Sequence, residues 1–219
     1  MQQKQFIWGL AVLLPLLLII GLSIGPIMSQ VEQPSYQVVQ EFDDIQIRHY
    51  PPLLTAQVNM QGERSQAIGD AFRVLANYIF GSNVVEQQIA MTAPVQQTLA
   101  DNSVKIAMTA PVLQQANTQS NQWQVSFVMP TQYTLQNIPK PIDARVQLIE
   151  VPARTVAAIR FSGVNSDDNL KTHEAQLLEF LRQRNIEPVS TPTYAFYNPP
   201  FTLPLLRRNE VLVEVVHAK

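Results

Sequence analysis

The sequence predicts an α+β domain made of two copies of a strand-strand-helix-strand unit, and three observations predict it. Residues Ile45-Gln-Ile47, Pro51 and Gly62 return as Val146-Gln-Leu148, Pro152 and Gly163, each pair 101 positions apart. Two stretches, from about Ser65 to Phe80 and from about Asp167 to Arg184, carry apolar residues at helical spacing. Around them, short segments alternate apolar and polar residues, the pattern of strands with one buried face. Two such units, with helices on one side of antiparallel sheets, give pseudo-twofold symmetry and leave a groove between helix and sheet, a usual place for a small ligand.

The amino terminus is of a different kind. No residue from Phe6 to Met28 is charged, a length that matches the about 20 apolar residues of a membrane-spanning helix. Residues 1–5 precede this anchor with Lys4, and Glu32 follows it, so the positive-inside bias places the rest of the chain on the extracytoplasmic, periplasmic side. A cleaved signal peptide is the competing reading, because Ser23-Ile-Gly25 has small residues at suitable spacing, although Pro26 would sit just after the cut. Residues 29–35 then read as a polar tether and residues 36–219 as the folded domain.

Taken in order, Tyr36-Gln-Val-Val-Gln-Glu41 alternates loosely, Phe42-Asp-Asp44 has turn chemistry, and Ile45 to Tyr50 forms a strand that Pro51 and Pro52 stop. Leu53 to Met60 is the next strand. The first helix follows Gly62, with Ile68, Ala71, Phe72, Leu75, Ala76 and Ile79 on one face and Gly81 as a left-handed cap. The word Ile89-Ala-Met-Thr-Ala-Pro-Val95 then recurs unchanged as Ile106 to Val112. It contains no acid, base or nucleophile pair, and its prolines push the preceding alanines to extended geometry. Each copy therefore reads as an extended, partly buried segment. Trp123 to Met129 is a strand. The second helix buries Leu170, Leu177, Leu178 and Leu181, with Asp167 and Asp168 at its positive end. Strands at Thr193–Tyr197 and Val211–Val216 complete the domain.

Composition excludes several functions. Cysteine is absent, so there are no disulfides, thiolate metal sites or cysteine nucleophiles. The 15 Lys and Arg residues are scattered and form no basic stripe, which argues against nucleic acid as a partner. No nucleophile elbow, phosphate loop or dinucleotide fingerprint is present, and the carboxylate pairs Asp43-Asp44 and Asp167-Asp168 suit turn and helix-start roles, so no enzyme activity is read. A triad could be assembled from Ser65, His49 and Asp70 only on paper.

Several segments together carry a family resemblance. They are Ile45-Gln-Ile-Arg-His-Tyr-Pro51, Lys105 to Val112, Val125-Ser-Phe-Val-Met-Pro130, Pro139-Lys-Pro141, Val151 to Ala157 with Arg160-Phe-Ser-Gly163, and Tyr197 to Val211. In this order they resemble the SOUL family of haem-binding proteins over about residues 36–216. The resemblance implies a distorted antiparallel β-barrel with two helices, like the effector-binding domains of some bacterial regulators. It also implies reversible binding of haem or another porphyrin in a shallow hydrophobic groove between the first helix and a carboxyl-terminal loop. On this chain those are Ile68, Phe72 and Leu75, and Phe201, Leu203 and Leu205. One branch of the family has an axial histidine, which falls here on His49, while another holds haem without it. The membrane anchor departs from the family's commoner pattern.

Each candidate also has a plainer reading. His49 shares strand parity with Ile45 and Ile47, and suits a core histidine as well as an iron ligand. His173, among Lys171, Thr172 and Glu174, reads as solvated, and His217 lies at a terminus. Met91 and Met108 are soft donors that usually just fill space. Arg207, Arg208 and Glu210 read as a surface or capping ion-pair cluster, in which one arginine could meet a propionate. Tyr194, Phe196, Tyr197 and Phe201 read as core first and pocket wall second. A general binder of hydrophobic molecules or a weak hydrolase on the same groove is the alternative function, and an interface formed by the Met-Thr-Ala-Pro segments is a third.

Overall fold

The structure, a computed structural model, describes residues 31–85, 88–99 and 122–216. The anchor expected over residues 6–28, His217 and the second Met-Thr-Ala-Pro copy with Met108 lie outside the described residues. Among those described, no helix is long and apolar enough to cross a membrane.

Nine strands and two helices follow one another along the chain: β1 (Gln37–Phe42), β2 (Ile45–Tyr50), β3 (Leu53–Gln61), α1 (Arg64–Ile79), β4 (Val95–Leu99), β5 (Gln122–Val128), β6 (Gln147–Val151), β7 (Arg154–Phe161), α2 (Asp167–Gln183), β8 (Thr193–Phe196) and β9 (Asn209–Glu214), with a 3-10 turn at Pro204–Leu206. All strand pairs are antiparallel, in one sheet of order β1-β2-β7-β9-β8-β4-β5-β3-β6. That order makes the internal duplication visible. Leaving β1 aside, the list reads as a mirror about the β8–β4 boundary, with β2 opposite β6, β7 opposite β3, and β9 opposite β5. The first strand of each unit pairs with the second strand of the other, so neither unit is complete alone. The sheet ends at β1 and β6 and so forms an open half-barrel.

Each helix covers its own half: α1 packs on β3 and β5, and α2 on β7 and β9. Under α1, Ala71, Leu75, Tyr78 and Ile79 meet Ala56, Val58, Val125 and Phe127. Under α2, Leu170, Leu177 and Leu181 meet Ala157, Ile159, Phe161, Val211 and Val213. Each such large apolar side chain stabilises the fold by roughly 1.5–3 kcal/mol. A third cluster, Tyr50, Val156, Ala158, Ala195, Tyr197 and Leu212, lies on the opposite side of the sheet, because along β7 and β9 these positions alternate with the helix-facing ones.

Local chemistry explains the helix ends. Ser166 caps α2 by accepting from the Asn169 N–H, and Asp167 and Asp168 fill its first turn. The α1 start has no side-chain cap and an unfavourable cation, Arg64. That charge is met across the molecule by Asp167 at 2.5 Å and the Asn165 carbonyl at 2.8 Å, so the two helix starts are tied together. Gly81 follows α1 at φ 122°, as its capping role requires. The first Met-Thr-Ala-Pro copy, expected to be extended, is an irregular segment with a bend at Ala93: Ile89, Thr92 and Ala93 are buried and the chain runs on into β4. The tether expected over residues 29–35 is held against the domain from Val31 onward, with Pro34 buried and the Glu32 carboxylate accepting from the Thr131 N–H at 2.8 Å.

The paired glycines test the duplication. Gly62 and Gly163 both have positive φ, 123° and 105°, but only at Gly163 would a Cβ crowd a neighbour, Asn169 Nδ2 at 3.0 Å. Alanine at either position should lower the unfolding free energy by about 1–3 kcal/mol, with the greater loss at Gly163. Urea denaturation of the two variants checks this, and equal losses would mean the crowding contributes nothing.

Candidate functional site

On β2, β7 and β9 the helix-facing positions carry Ile47, Ile159, Val211 and Val213, so the intervening positions face the other way. Five of those are charged, and two of the five, Arg48 and Glu210, are buried. Glu210 is fully buried and Arg48 is 2% exposed, and they form a bidentate pair, Nη1 to Oε2 at 2.7 Å and Nη2 to Oε1 at 3.1 Å. Arg208 donates to the same carboxylate from Nε at 3.0 Å and Nη2 at 2.8 Å, and the Tyr197 hydroxyl donates at 2.7 Å. Aromatic faces complete the enclosure, with the Arg48 guanidinium 4.4 Å from the Tyr36 ring centre and that of Arg208 3.9 Å from the Tyr197 ring. Burial alone would raise the Glu210 carboxyl, but the Arg48 bonds and charge, with Arg208 and Tyr197, hold it below the ordinary carboxylate range. Burial, then the neighbouring Glu210 charge, pushes the Tyr197 phenol well above its usual value, so it remains a hydrogen-bond donor.

Beside this network opens a cleft of about 680 Å3 between the β1–β2 turn, the end of β7, α2 and the loop before β9. Its size is that of small-molecule sites, which run from about 300 to 1,000 Å3. One wall is acidic, with Glu41, Asp43 and Asp44, and another is basic, with Arg48, Arg160, Arg207 and Arg208. The basic groups differ in what they have left to offer. Arg48 and Arg208 are committed to Glu210. Arg207 donates to the carbonyls of Thr202 and Pro200 at 2.7 and 2.5 Å, so its charge meets no carboxylate. The Arg160 side chain makes no hydrogen bond or ion pair among the described residues. His173 lines the same cleft, its ring stacked on Phe161 at 3.9 Å and 10°.

Of the residues expected to form one groove, three lie on α1, three on the loop before β9, and His49 on β2. Leu75 is fully buried in the α1 core, Ile68 is half-buried against that core, and Phe72 lies at its rim, 37% exposed and edge-on to Phe127 at 5.3 Å. Phe201, Leu203 and Leu205 are exposed on the loop before β9, and Leu205 reaches the cleft. His49 is exposed on β2, its Nδ1 3.5 Å from Thr155 Oγ1. Strand order separates it from the α1 strands by β7, β9, β8 and β4.

Other expectations change. His173 is half-buried, with the Phe161 ring of β7 covering one face of it. Arg208 and Glu210 form no surface cluster, because the carboxylate is buried at the centre of the network. Tyr194 is core, its hydroxyl donating to Glu174 at 2.5 Å, and Met91 is packing in the α1 core. Asp70 pairs with Arg73 and His49 with Thr155, so the paper triad with Ser65 does not assemble. Sequence reasoning missed Arg48, although it stands inside the Ile-Arg-His-Tyr motif. The available signal was its parity, which puts it on the face opposite Ile47 in a strand with neighbours on both sides.

The architecture defines a class first: a duplicated α+β domain with two helices on an antiparallel half-barrel. The C-terminal domain of EcmrR shares it, with a TM-score of 0.57 at 11% identity over 84% of this chain and 99% of that one. A hydrolase from Listeria innocua matches with a TM-score of 0.50 at 9% identity over 81% of this chain and 94% of that one. At these identities the likeness is one of fold. Within that class, the chain belongs to the SOUL heme-binding protein family, whose profile matches residues 31–214. Heme-binding protein 2 of Mus musculus is 26% identical over 198 residues, covering 88% of this chain and 90% of that protein.

The donor set bears on how such a protein could hold iron. Among the described residues no three His, Cys, Asp or Glu side chains gather as a metal site. A tetrapyrrole brings four nitrogens of its own and asks the protein for one or two donors, apolar contact and cations for its carboxylates. The described residues offer exposed apolar side chains on the loop before β9 and the Arg207 guanidinium beside them, while the cleft itself is lined mainly by charged and polar side chains.

Glu210→Gln should destabilise the fold by about 3–5 kcal/mol, because it leaves two guanidiniums buried without their counter-charge. The native Glu210 pKa is depressed, so its stabilisation is complete above the unfolded value of about 4.3 and is lost as pH falls through the native one. Chemical denaturation from pH 7 to pH 3 should therefore show a shallower acid loss in the variant than in the wild type. Parallel curves would remove Glu210 from the acid response.

Proposed function

We propose that this chain takes up haem or a related tetrapyrrole reversibly, for carriage or sequestration and not for catalysis, on the extracytoplasmic side of a membrane in which residues 6–28 anchor it. The observation that carries the reading is the loop before β9. Phe201, Leu203, Leu205 and Leu206 are 59%, 51%, 85% and 51% exposed within six residues, and large apolar side chains left together in water mark a binding surface. The same loop supplies Arg207 to the cleft, beside Arg160. Apolar surface next to uncompensated cations suits an amphipathic ligand with a flat apolar body and an anionic edge. Family membership over residues 31–214 supports a haem as that ligand, and the uncharged run from Phe6 to Met28 supports the anchor.

The test is a haemin titration of the full 219-residue chain in mild detergent, read from the Soret band. A saturable one-to-one shift is expected, weakened about tenfold by the double change Phe201→Ser and Leu205→Ser, which removes two apolar contacts. No saturable shift, together with thermal stabilisation by many apolar cations, would replace the haem reading with that of a general hydrophobic binder.

A further inference from the structure

A second exposed apolar patch stands at the end of α1. Phe80, Val84, Val85 and Ile142 are 62–66% exposed and lie on two segments held side by side. The Val84 N–H donates to the Lys140 carbonyl at 3.0 Å, the Ile142 N–H donates to the Ser82 carbonyl at 3.5 Å, and Asn83 faces Pro141 in an antiparallel bridge. Asn83 is fully buried, and neighbours in extended chain point to opposite sides, so Val84 and Ile142 share the outer face. Buried hydrogen bonds fix the patch in place: the Tyr78 hydroxyl donates to the Pro139 carbonyl at 2.6 Å, and Asn83 Nδ2 donates to the Tyr78 carbonyl at 3.2 Å. Lys140 stands beside these side chains and forms no ion pair among the described residues, whereas Asp143 is bound to Arg145 at 2.6 Å.

The way the chain enters the domain says what covers this patch. Val31 packs against the third apolar cluster, and Glu32 is bonded twice, its carbonyl to the Ala93 N–H at 3.0 Å and its carboxylate to the Thr131 N–H at 2.8 Å. Both contacts lead to the patch. Ala93 belongs to the segment that begins at Ile89, whose N–H donates to the Ile79 carbonyl at 2.6 Å beside Phe80, and Thr131 opens the loop that runs past exposed Leu135 to Ile142. From Met28, where the uncharged run ends, to Val31 an extended chain spans at most about 11 Å. A domain fastened so close to a membrane anchor lies on the bilayer. The loop before β9 meets the same entry, where Arg208 donates to Gln33 at 3.1 Å, so it is the comparison the test needs.

We propose that Phe80, Val84, Val85 and Ile142 rest in the interfacial layer of the bilayer, with Lys140 against lipid phosphates. The proposal rests on the reading of residues 6–28 as an anchor and is independent of the haem reading. Apolar side chains at such a surface partition to the boundary of headgroups and acyl chains, while the ammonium meets anionic headgroups. The domain is thereby held at one orientation to the membrane.

The chain contains no cysteine, so a single introduced cysteine carrying an environment-sensitive fluorophore reports one position. Full-length Val84→Cys, Ile142→Cys, Leu205→Cys and Gln66→Cys are labelled and reconstituted in vesicles of phosphatidylethanolamine and phosphatidylglycerol. Gln66 is exposed in the first turn of α1, about 20 Å along the helix from Phe80. The expected result is blue-shifted emission at the Val84 and Ile142 positions that lipid-borne quenchers reduce, with water-like emission at the Gln66 position. A thermal melt verifies that each labelled protein folds, and Val85→Cys replaces Val84→Cys if that one does not. Water-like emission at the Val84 and Ile142 positions, in protein that stays with the vesicles, overturns the proposal and leaves the anchor reading intact. A blue shift there that lipid-borne quenchers do not reduce also overturns it, because it marks a protein cover such as a second copy of the chain. Quenching at the Leu205 position alone overturns it and moves the bilayer contact to the loop before β9. Protein that an alkaline carbonate wash strips from the vesicles overturns the anchor reading and the proposal with it.

Discussion

A single buried carboxylate organises the face of the sheet that the helices leave uncovered. Glu210 receives five hydrogen bonds from three side chains, and those side chains come from separate parts of the chain: Arg48 from β2, Tyr197 from the end of β8, and Arg208 from the lead-in to β9. Isolated, a buried carboxylate would be prohibitively costly; with two guanidiniums and a phenol it is satisfied. The pairing also accounts for the geometry around it. Arg208 reaches Gln33 and Tyr36, so the stretch before β1 is drawn onto the same face, and Arg48 is held flat beneath the Tyr36 ring.

The functional consequence lies in what the network leaves over. Because Glu210 occupies Arg48 and Arg208, the cleft arginines that meet no carboxylate among the described residues are Arg160 and Arg207. Arg207 is tied to the Thr202 and Pro200 carbonyls, so it braces the loop that carries Phe201, Leu203 and Leu205. The Gly163 N–H donates to the Pro204 carbonyl at 2.8 Å and Asn209 donates to the Gly163 carbonyl at 3.1 Å, which fastens that loop to the turn entering α2. Thus the duplicated fold, symmetric in its strands, is asymmetric in its chemistry: this cleft forms at the second unit.

Much of the architecture was legible in the sequence because it depends on periods. The helices, their apolar faces and the offset linking Gly62 to Gly163 are local or regular features, and the structure places α1 and α2 within a residue or so of their expected limits. The site was less legible because it depends on partners far apart in the chain. Arg207-Arg-Asn-Glu210 reads as a surface run until Arg48, 162 residues away from Glu210, is seen to meet it. His173 stands among polar neighbours in sequence, and only the packing of α2 on β7 puts Phe161 beneath it. For α1, helical spacing identifies the apolar face but cannot separate Leu75, which points into the core, from Phe72 at its rim. The resemblance makes the loop of Phe201, Leu203 and Leu205 one side of a groove, and Phe201 reads as core first, whereas the structure leaves all three exposed, because no other element packs over them enough to bury them.

Haem uptake is proposed on the exposed apolar loop before β9, at Phe201, Leu203 and Leu205. Ferric haem broadens nearby amide signals, so the most direct measurement is a residue-resolved NMR spectrum of the full chain with and without one equivalent of haemin. The proposal predicts that signals vanish through residues 201–208. Signals that persist through residues 201–208 at one equivalent of haemin would contradict it.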